Sequence, residues 1–174
     1  MPRPLDLPFD PIERAGDLWE QRFGPAAAMR AATSVMRAQQ VLLARFDATL
    51  KPYGLTFARY EALVLLHFSR AGALPLSVIG QRLMVHPTSV TNIIARLAGQ
   101  GFVDRRPNPR DGRGVLAAIT DEGRDVVVRA TDELMREGFG LGGYDEHELA
   151  ELFALLRVLR VEAGDFRDDP AGGN

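Results

Sequence analysis

Between Leu76 and Ile119 the chain changes direction signals every few residues, and no other stretch restricts the possible folds as much. Ser77 can cap a short helix carrying Val78, Ile79 and Leu83, and His86-Pro87 opens another with Val90, Ile93, Ile94 and Leu97 at helical spacing. About three residues separate the two, which is the spacing of a helix-turn-helix. Gly99-Gln100-Gly101 then ends the second helix, and Phe102 to Arg106 reads as a strand. The turn-rich run Pro107 to Gly114 leads to a return strand, Val115 to Ile119, so a β-hairpin with a basic tip follows the helix pair.

On either side the pattern is helical. Asp10-Pro11-Ile12-Glu13 supplies a cap and a first-turn proline for an amphipathic helix with Ile12, Ala15, Trp19 and Phe23 on one face, stopped by Gly24-Pro25. A longer helix carries Met29, Ala32, Met36, Gln39, Leu43, Phe46 and Leu50 up to Pro52-Tyr53-Gly54. Thr56 looks like the cap of a third, through Tyr60, Leu63, Val64 and Phe68, closed by an Ala71-Gly72-Ala73 loop. Beyond the hairpin, Thr120-Asp121-Glu122 caps a helix running to the Gly138–Gly143 break. Asp145 to Glu148 forms a capping box for a last helix with Leu149, Leu152, Phe153, Leu156 and Leu159. The expectation is a mostly α chain with a small antiparallel β-wing: a winged helix-turn-helix flanked by N- and C-terminal dimerisation helices. Residues 1–24 form an extension and 25–163 the winged-helix domain, divided into dimerisation helices at 25–51 and 120–163 and a DNA-binding core at 55–119. Residues 164–174 are a tail.

Composition removes several classes of function. The 174 residues suit one domain, and 46% hydrophobic with 25% charged residues is ordinary for a globular protein. No apolar run approaches the roughly 20 residues of a membrane span, and the first residues lack the apolar core of a signal peptide, so a cytoplasmic location is expected. With no cysteine there is no disulfide, thiolate nucleophile or cysteine-bound zinc. A nucleophile elbow and a phosphate-binding glycine loop are both absent, and His67, His86 and His147 lie far apart without ligand spacing. Neither an enzyme nor a cofactor is expected.

Net charge is −2, yet between Ser77 and Arg113 six arginines (82, 96, 105, 106, 110 and 113) face two acids, Asp104 and Asp111. A basic patch on a helix-turn-helix is the electrostatic footprint of a DNA reader, because neutralising phosphates supplies the sequence-independent part of affinity. The bland alternative is a solvated charged face. Burying Val90, Ile94 and Leu97 turns Thr88, Ser89, Thr91, Asn92, Ala95 and Arg96 outward. Short polar groups over the first two turns suit entry into the major groove. Asn92 can pair in bidentate fashion with adenine, the three hydroxyls can meet bases or phosphates, and Arg96 meets phosphate. First-turn capping is the competing explanation for Thr88 and Ser89.

The run Asp111-Gly112-Arg113-Gly114-Val115-Leu116-Ala117-Ala118-Ile119-Thr120-Asp121-Glu122-Gly123 resembles the wing signature of the MarR (multiple antibiotic resistance regulator) family. Leu83 to Thr91, Arg96-Leu97 and Gly101-Phe102-Val103-Asp104-Arg105 are similar to that family's recognition helix and wing entry. The resemblance covers roughly residues 26–163. It implies a winged-helix dimer with intertwined first and last helices, bound to a pseudo-palindromic double-stranded operator and repressing a neighbouring gene until a small ligand releases it. In that family the counterpart of Asp111 orients the wing and that of Arg113 enters the minor groove; Arg110, from the basic patch, is a further candidate for DNA contact. His86 stands where the family commonly has Ser or Thr, and the Pro107-x-Pro109 pair is a second departure.

Trp19 on a helix ahead of the usual fold is similar to the extra helix of the family's urate-responsive branch. By position that resemblance implies an effector site of Trp19, Glu61 and Arg105. From side-chain chemistry alone, Arg105 can meet an anionic small molecule and Trp19 or Tyr60 can stack on an aromatic one. The branch's additional recognition-helix arginine falls at Ile93. Dimerisation also follows from the apolar stripes alone, since a winged helix of this length cannot cover both the Met29 to Leu50 and the Leu149 to Leu159 stripes. A winged-helix protein-interaction module without specific DNA binding is the alternative function.

Overall fold

The computed structural model describes residues 5–109 and 111–167, without the side chains of 111–113. Seven helices and three strands follow one another in the described chain: α1 (Pro11–Phe23), α2 (Ala27–Leu50), α3 (Phe57–Phe68), β1 (Ala73–Pro75), α4 (Leu76–Leu83), α5 (Pro87–Gly99), β2 (Val103–Asn108), β3 (Asp111–Ile119), α6 (Asp121–Arg136) and α7 (Glu146–Glu162). Single 3-10 turns, Lys51–Tyr53 and Gly138–Gly140, extend α2 and α6.

Caps define most of the helix starts. Asp10 Oδ1 accepts from the Ile12 and Glu13 amides, the Thr120 hydroxyl accepts from Gly123 N, and Asp145 and Glu148 form the complete capping box of α7. Two expected caps are corrected. Thr56 occupies the N-cap position of α3, but its hydroxyl makes no cap bond; the Phe57 amide donates instead to Asp47 Oδ1 at 2.9 Å, from the end of α2. Ser77 lies inside the first turn of α4, whose N-cap is Pro75, because the extended backbone that ends β1 (φ −61°, ψ 143°) already serves as the entry to the helix.

The Ala71–Ala73 loop was expected to be irregular throughout; its last residue instead begins β1, which pairs antiparallel with β3. The result is a three-stranded sheet in the order β1-β3-β2, with Ala118 of β3 opposite Ala73 on one side and Asp104 on the other. Both hairpin strands exceed their expected lengths, β2 reaching Asn108 and β3 starting at Asp111. Pairing survives the prolines because the register slips between Pro107↔Val115 and Asn108↔Asp111. A bulge there absorbs the residues expected to form an open turn.

The core lies between α3, α5, α6 and the root of the sheet, where Leu63, Leu66, Ile94, Leu97, Val103, Ala117, Val127 and Leu134 are buried. Gly123 is dictated by this packing: a Cβ there would lie 2.2 Å from the carbonyl oxygen of Phe102. The Thr120 hydroxyl also donates to Gly101 O at 2.8 Å, so this Thr-x-x-Gly stretch ties the start of α6 to the base of the wing.

Outside the core, the terminal helices are sparsely covered. Of the 24 residues of α2 only Phe46 and Leu50 are buried, and α7 buries none. Phe153, Leu155, Val158 and Leu159 of α7 are each more than half exposed. Helix α1 docks on α2 through Arg30, which bridges Asp17 and Glu20 at 2.6 Å each and, through its hydrogen bond, holds the Glu20 carboxyl below its ordinary range.

Candidate nucleic-acid interface

The turn between α4 and α5 is built by close backbone approach. Val85 N donates to Gly80 O at 3.1 Å, and a Cβ on Gly80 would come within 3.1 Å of Val90 Cγ2, so the two helices meet at van der Waals distance. Met84 turns the chain from a left-handed conformation (φ 54°, ψ 39°). Helix α5 then starts at Pro87, with the Thr88 amide donating to His86 Nδ1 at 3.3 Å. Histidine therefore performs here the capping that serine or threonine provides elsewhere. Its use as an acceptor requires an unprotonated Nδ1.

From this start α5 buries Val90, Ile94 and Leu97 and leaves Thr88, Ser89, Thr91, Asn92, Ala95 and Arg96 exposed, as their spacing predicts. The Thr91 hydroxyl donates to Pro87 O at 3.1 Å, one turn back along the helix. On the wing, Arg105 and Arg106 are exposed on β2; Arg106 pairs with Asp104 at 2.8 Å in an ion pair that is itself more than half exposed. An exposed pair of this kind is held weakly and leaves the guanidinium available to a phosphate. The polar face of α5 and the arginines of β2 belong to one continuous module, since β2 leaves the end of α5 after three residues. Arg110 lies outside the described residues, as do the side chains of Asp111 and Arg113.

The four residues expected around an effector lie on three elements. Trp19 sits on α1 against Phe23, ring centroids 5.0 Å apart, and is partly exposed. Tyr60 is buried in α3, its hydroxyl 3.0 Å from that of Thr131 on α6, which makes it a core residue of the single chain. Glu61 lies at the surface beside it, and partial desolvation pushes its carboxyl above its ordinary value. Arg105 is on β2. A cavity of about 520 Å³ opens elsewhere, between α4 and α5, lined by Leu76, Gly80, Gln81, Met84, Val85 and Thr91 among others.

Sequence reasoning missed a polar cluster at the far end of α5. The Gln100 side chain donates to Gly54 O at 2.8 Å and accepts from Arg59 at 3.2 Å. Arg59 donates to the same carbonyl at 3.1 Å. Gln100 reads in the sequence only as a helix-ending residue between two glycines, and nothing local signals its partner 46 residues away. Among the described residues no group of three or more His, Asp and Glu is placed to hold a metal, and no helix is long and apolar enough to cross a membrane.

Comparison with known proteins gives this geometry a family. A model of the MarR family matches residues 53–114, which contain α3 to α5, β2 and the start of β3. An HTH-type transcriptional regulator of Mycobacterium tuberculosis is 33% identical over 132 residues, covering 74% of this chain and 88% of that protein. The crystal structure of Sco5413, a MarR family transcriptional regulator from Streptomyces coelicolor, is 63% identical and superposes with a TM-score of 0.76 over 81% of this chain and 98% of its own. Sco3205, a MarR family regulator from the same organism solved in complex with DNA, shares the fold at 24% identity, with a TM-score of 0.70 over 79% of this chain and 88% of its own. These relatives are transcriptional regulators, not enzymes. On this evidence the chain belongs to the MarR family of transcriptional regulators.

Proposed function

We propose that the protein is a homodimeric repressor of a neighbouring gene that binds a pseudo-palindromic operator and is released by a small aromatic or anionic ligand. The observation that carries the DNA-binding part is the outward face of α5: six exposed positions of short polar residues, alanine and arginine, beside the arginines of β2. Asn92 reads a base, Thr88, Ser89 and Thr91 meet bases or phosphates, and Arg96 meets phosphate. Arg110, Asp111 and Arg113 act from the wing. The dimer is formed by residues 25–51 and 120–163, whose unburied apolar side chains on α2 and α7 are supplied with a second copy to cover them. Residues 55–119 are the DNA-binding core, 1–24 an extension and 164–174 a tail.

For the ligand, Trp19 offers an exposed ring and Arg105 an exposed cation, with Glu61 near the buried Tyr60. A ligand that favours one spacing of the two recognition helices over another shifts the population away from the DNA-competent form.

Gel-shift titration against the DNA flanking the gene, repeated at increasing salt, tests the reading. Affinity that falls steeply with salt supports phosphate neutralisation, whereas weak salt dependence and no preferred duplex would favour a protein-docking module. A panel of aromatic carboxylates and purines added to the complex, with the fluorescence of the single tryptophan followed in parallel, tests release. Failure of the whole panel would remove the ligand from the proposal.

A further inference from the structure

We propose that Gln100 and Arg59, converging on the carbonyl of Gly54, are positioning residues that lock the recognition helix to the end of α2 and so set the separation of the two recognition helices in the dimer. The inference rests on the dimeric DNA-binding reading above and adds to it the element through which the dimer platform holds its readers. The contacts that bury α5 are apolar: Val90, Ile94 and Leu97. Such contacts are non-directional. Hydrogen bonds are directional, and the Gln100 amide sits at the C-cap of α5.

Its partners are fixed on the other side. Gly54 closes the 3-10 turn that continues α2, in a left-handed conformation (φ 68°) that favours glycine. The Gly54 carbonyl accepts from Gln100 at 2.8 Å and from Arg59 at 3.1 Å, and Arg59 also donates to Gln100 Oε1 at 3.2 Å and to the Thr56 hydroxyl at 3.2 Å. The carbonyl needs a donor and the guanidinium an acceptor, so only one orientation of the Gln100 amide satisfies both. A closed ring of three groups thereby joins the end of the 3-10 turn that follows α2, the first turn of α3 and the C-cap of α5. A Cβ on Gly54 would stand 2.8 Å from Gln100 Nε2, so even alanine there displaces the amide. Tilting α2 moves the Gly54 carbonyl, and α5 follows at the end opposite its reading face.

The absence of cysteine allows a clean test. Ala95→Cys places one spin label on the exposed face of α5 in each protomer, and pulsed electron paramagnetic resonance reads the distance between the two recognition helices. The expected result is a narrow distribution for Ala95→Cys alone and at least a doubling of its width when Gln100→Ala is added, with Gly54→Ala giving the same broadening. Gln100→Glu, which keeps the Arg59 partner but faces a carboxylate to the Gly54 carbonyl, should broaden it too, and decides the matter if Gln100→Ala fails to fold. In parallel, a duplex selected by the wild-type protein from a random pool is compared with the same duplex carrying one inserted base pair between half-sites. The wild-type preference between them should fall severalfold in Gln100→Ala with the salt dependence unchanged. Unchanged width and unchanged spacing preference overturn the proposal, and so does an affinity loss equal on both duplexes, which marks a purely structural role. Absence of any distance between protomers in Ala95→Cys alone would instead overturn the dimer on which it rests.

Discussion

Helices α5 and α7 are of similar length and both rich in aliphatic residues, yet α5 sits in a finished core while α7 buries nothing. Val90, Ile94 and Leu97 point one way along α5 and the polar residues the other. In α7 the apolar side chains spread round the helix, with Phe153, Leu155, Val158 and Leu159 all open to solvent in the single chain. A helix apolar over most of its circumference is built to be enclosed from several sides. One region is therefore complete as a single chain, and the other leaves its apolar surface uncovered.

The contrast breaks most visibly if α7 is made polar. Leu155→Asp with Val158→Asp should convert the proposed dimer into a species near the 19.1 kDa of one chain, read by sedimentation velocity, with its helical circular dichroism retained. A dimer that persists would show that this face of α7 is not the contact. The converse change belongs to α5. Ile94→Ala opens a fully buried site and should cost about 2–5 kcal/mol in chemical denaturation; Leu155→Ala, already 72% exposed, should cost the isolated chain almost nothing.

Smaller effects sharpen the same line. Gly123→Ala drives a methyl group against the Phe102 carbonyl, a backbone atom with no flexible end to yield, and should cost about 1–3 kcal/mol in thermal unfolding. The smallest concerns Glu61. Desolvation raises its carboxyl, so the folded chain binds that proton more tightly than the unfolded one, and stability declines as pH rises through the raised value. Glu61→Gln should thus be at least as stable as the wild type at pH 7. That advantage should vanish in acid, where both side chains are neutral, as paired melting curves across pH would show.

Helix positions were legible because their signals are local. Asp10, Thr120 and Asp145 each announce a start within four residues, and the 3.6-residue period of α5 assigned its inside and outside correctly. What escaped depends on partners distant in the chain. Three residues of β1 carry no period of their own and become a strand only beside Leu116–Ala118. Thr56 lost its capping role to Asp47, which arrives from another helix. The polar face of α5 could be listed from spacing alone; the Gln100 ring could not, since Gly54 and Arg59 meet it only after folding. Trp19, Glu61 and Arg105 were expected around an effector from resemblance to a family alone, and the single chain distributes them over α1, α3 and β2.

The central place of β3 in the sheet divides the wing into two parts with different histories open to them. As far out as Leu116 the strand is paired on both edges, and at its root Ala117 and Ala118 are buried, so a change of size there disturbs two neighbours at once. Beyond Leu116 only β2 accompanies it, and past the Pro107↔Val115 pair the register shifts. An exchange of the wing confined beyond the Pro107↔Val115 step would leave that doubly paired root unaltered, and chimeras made there would be the natural place to begin.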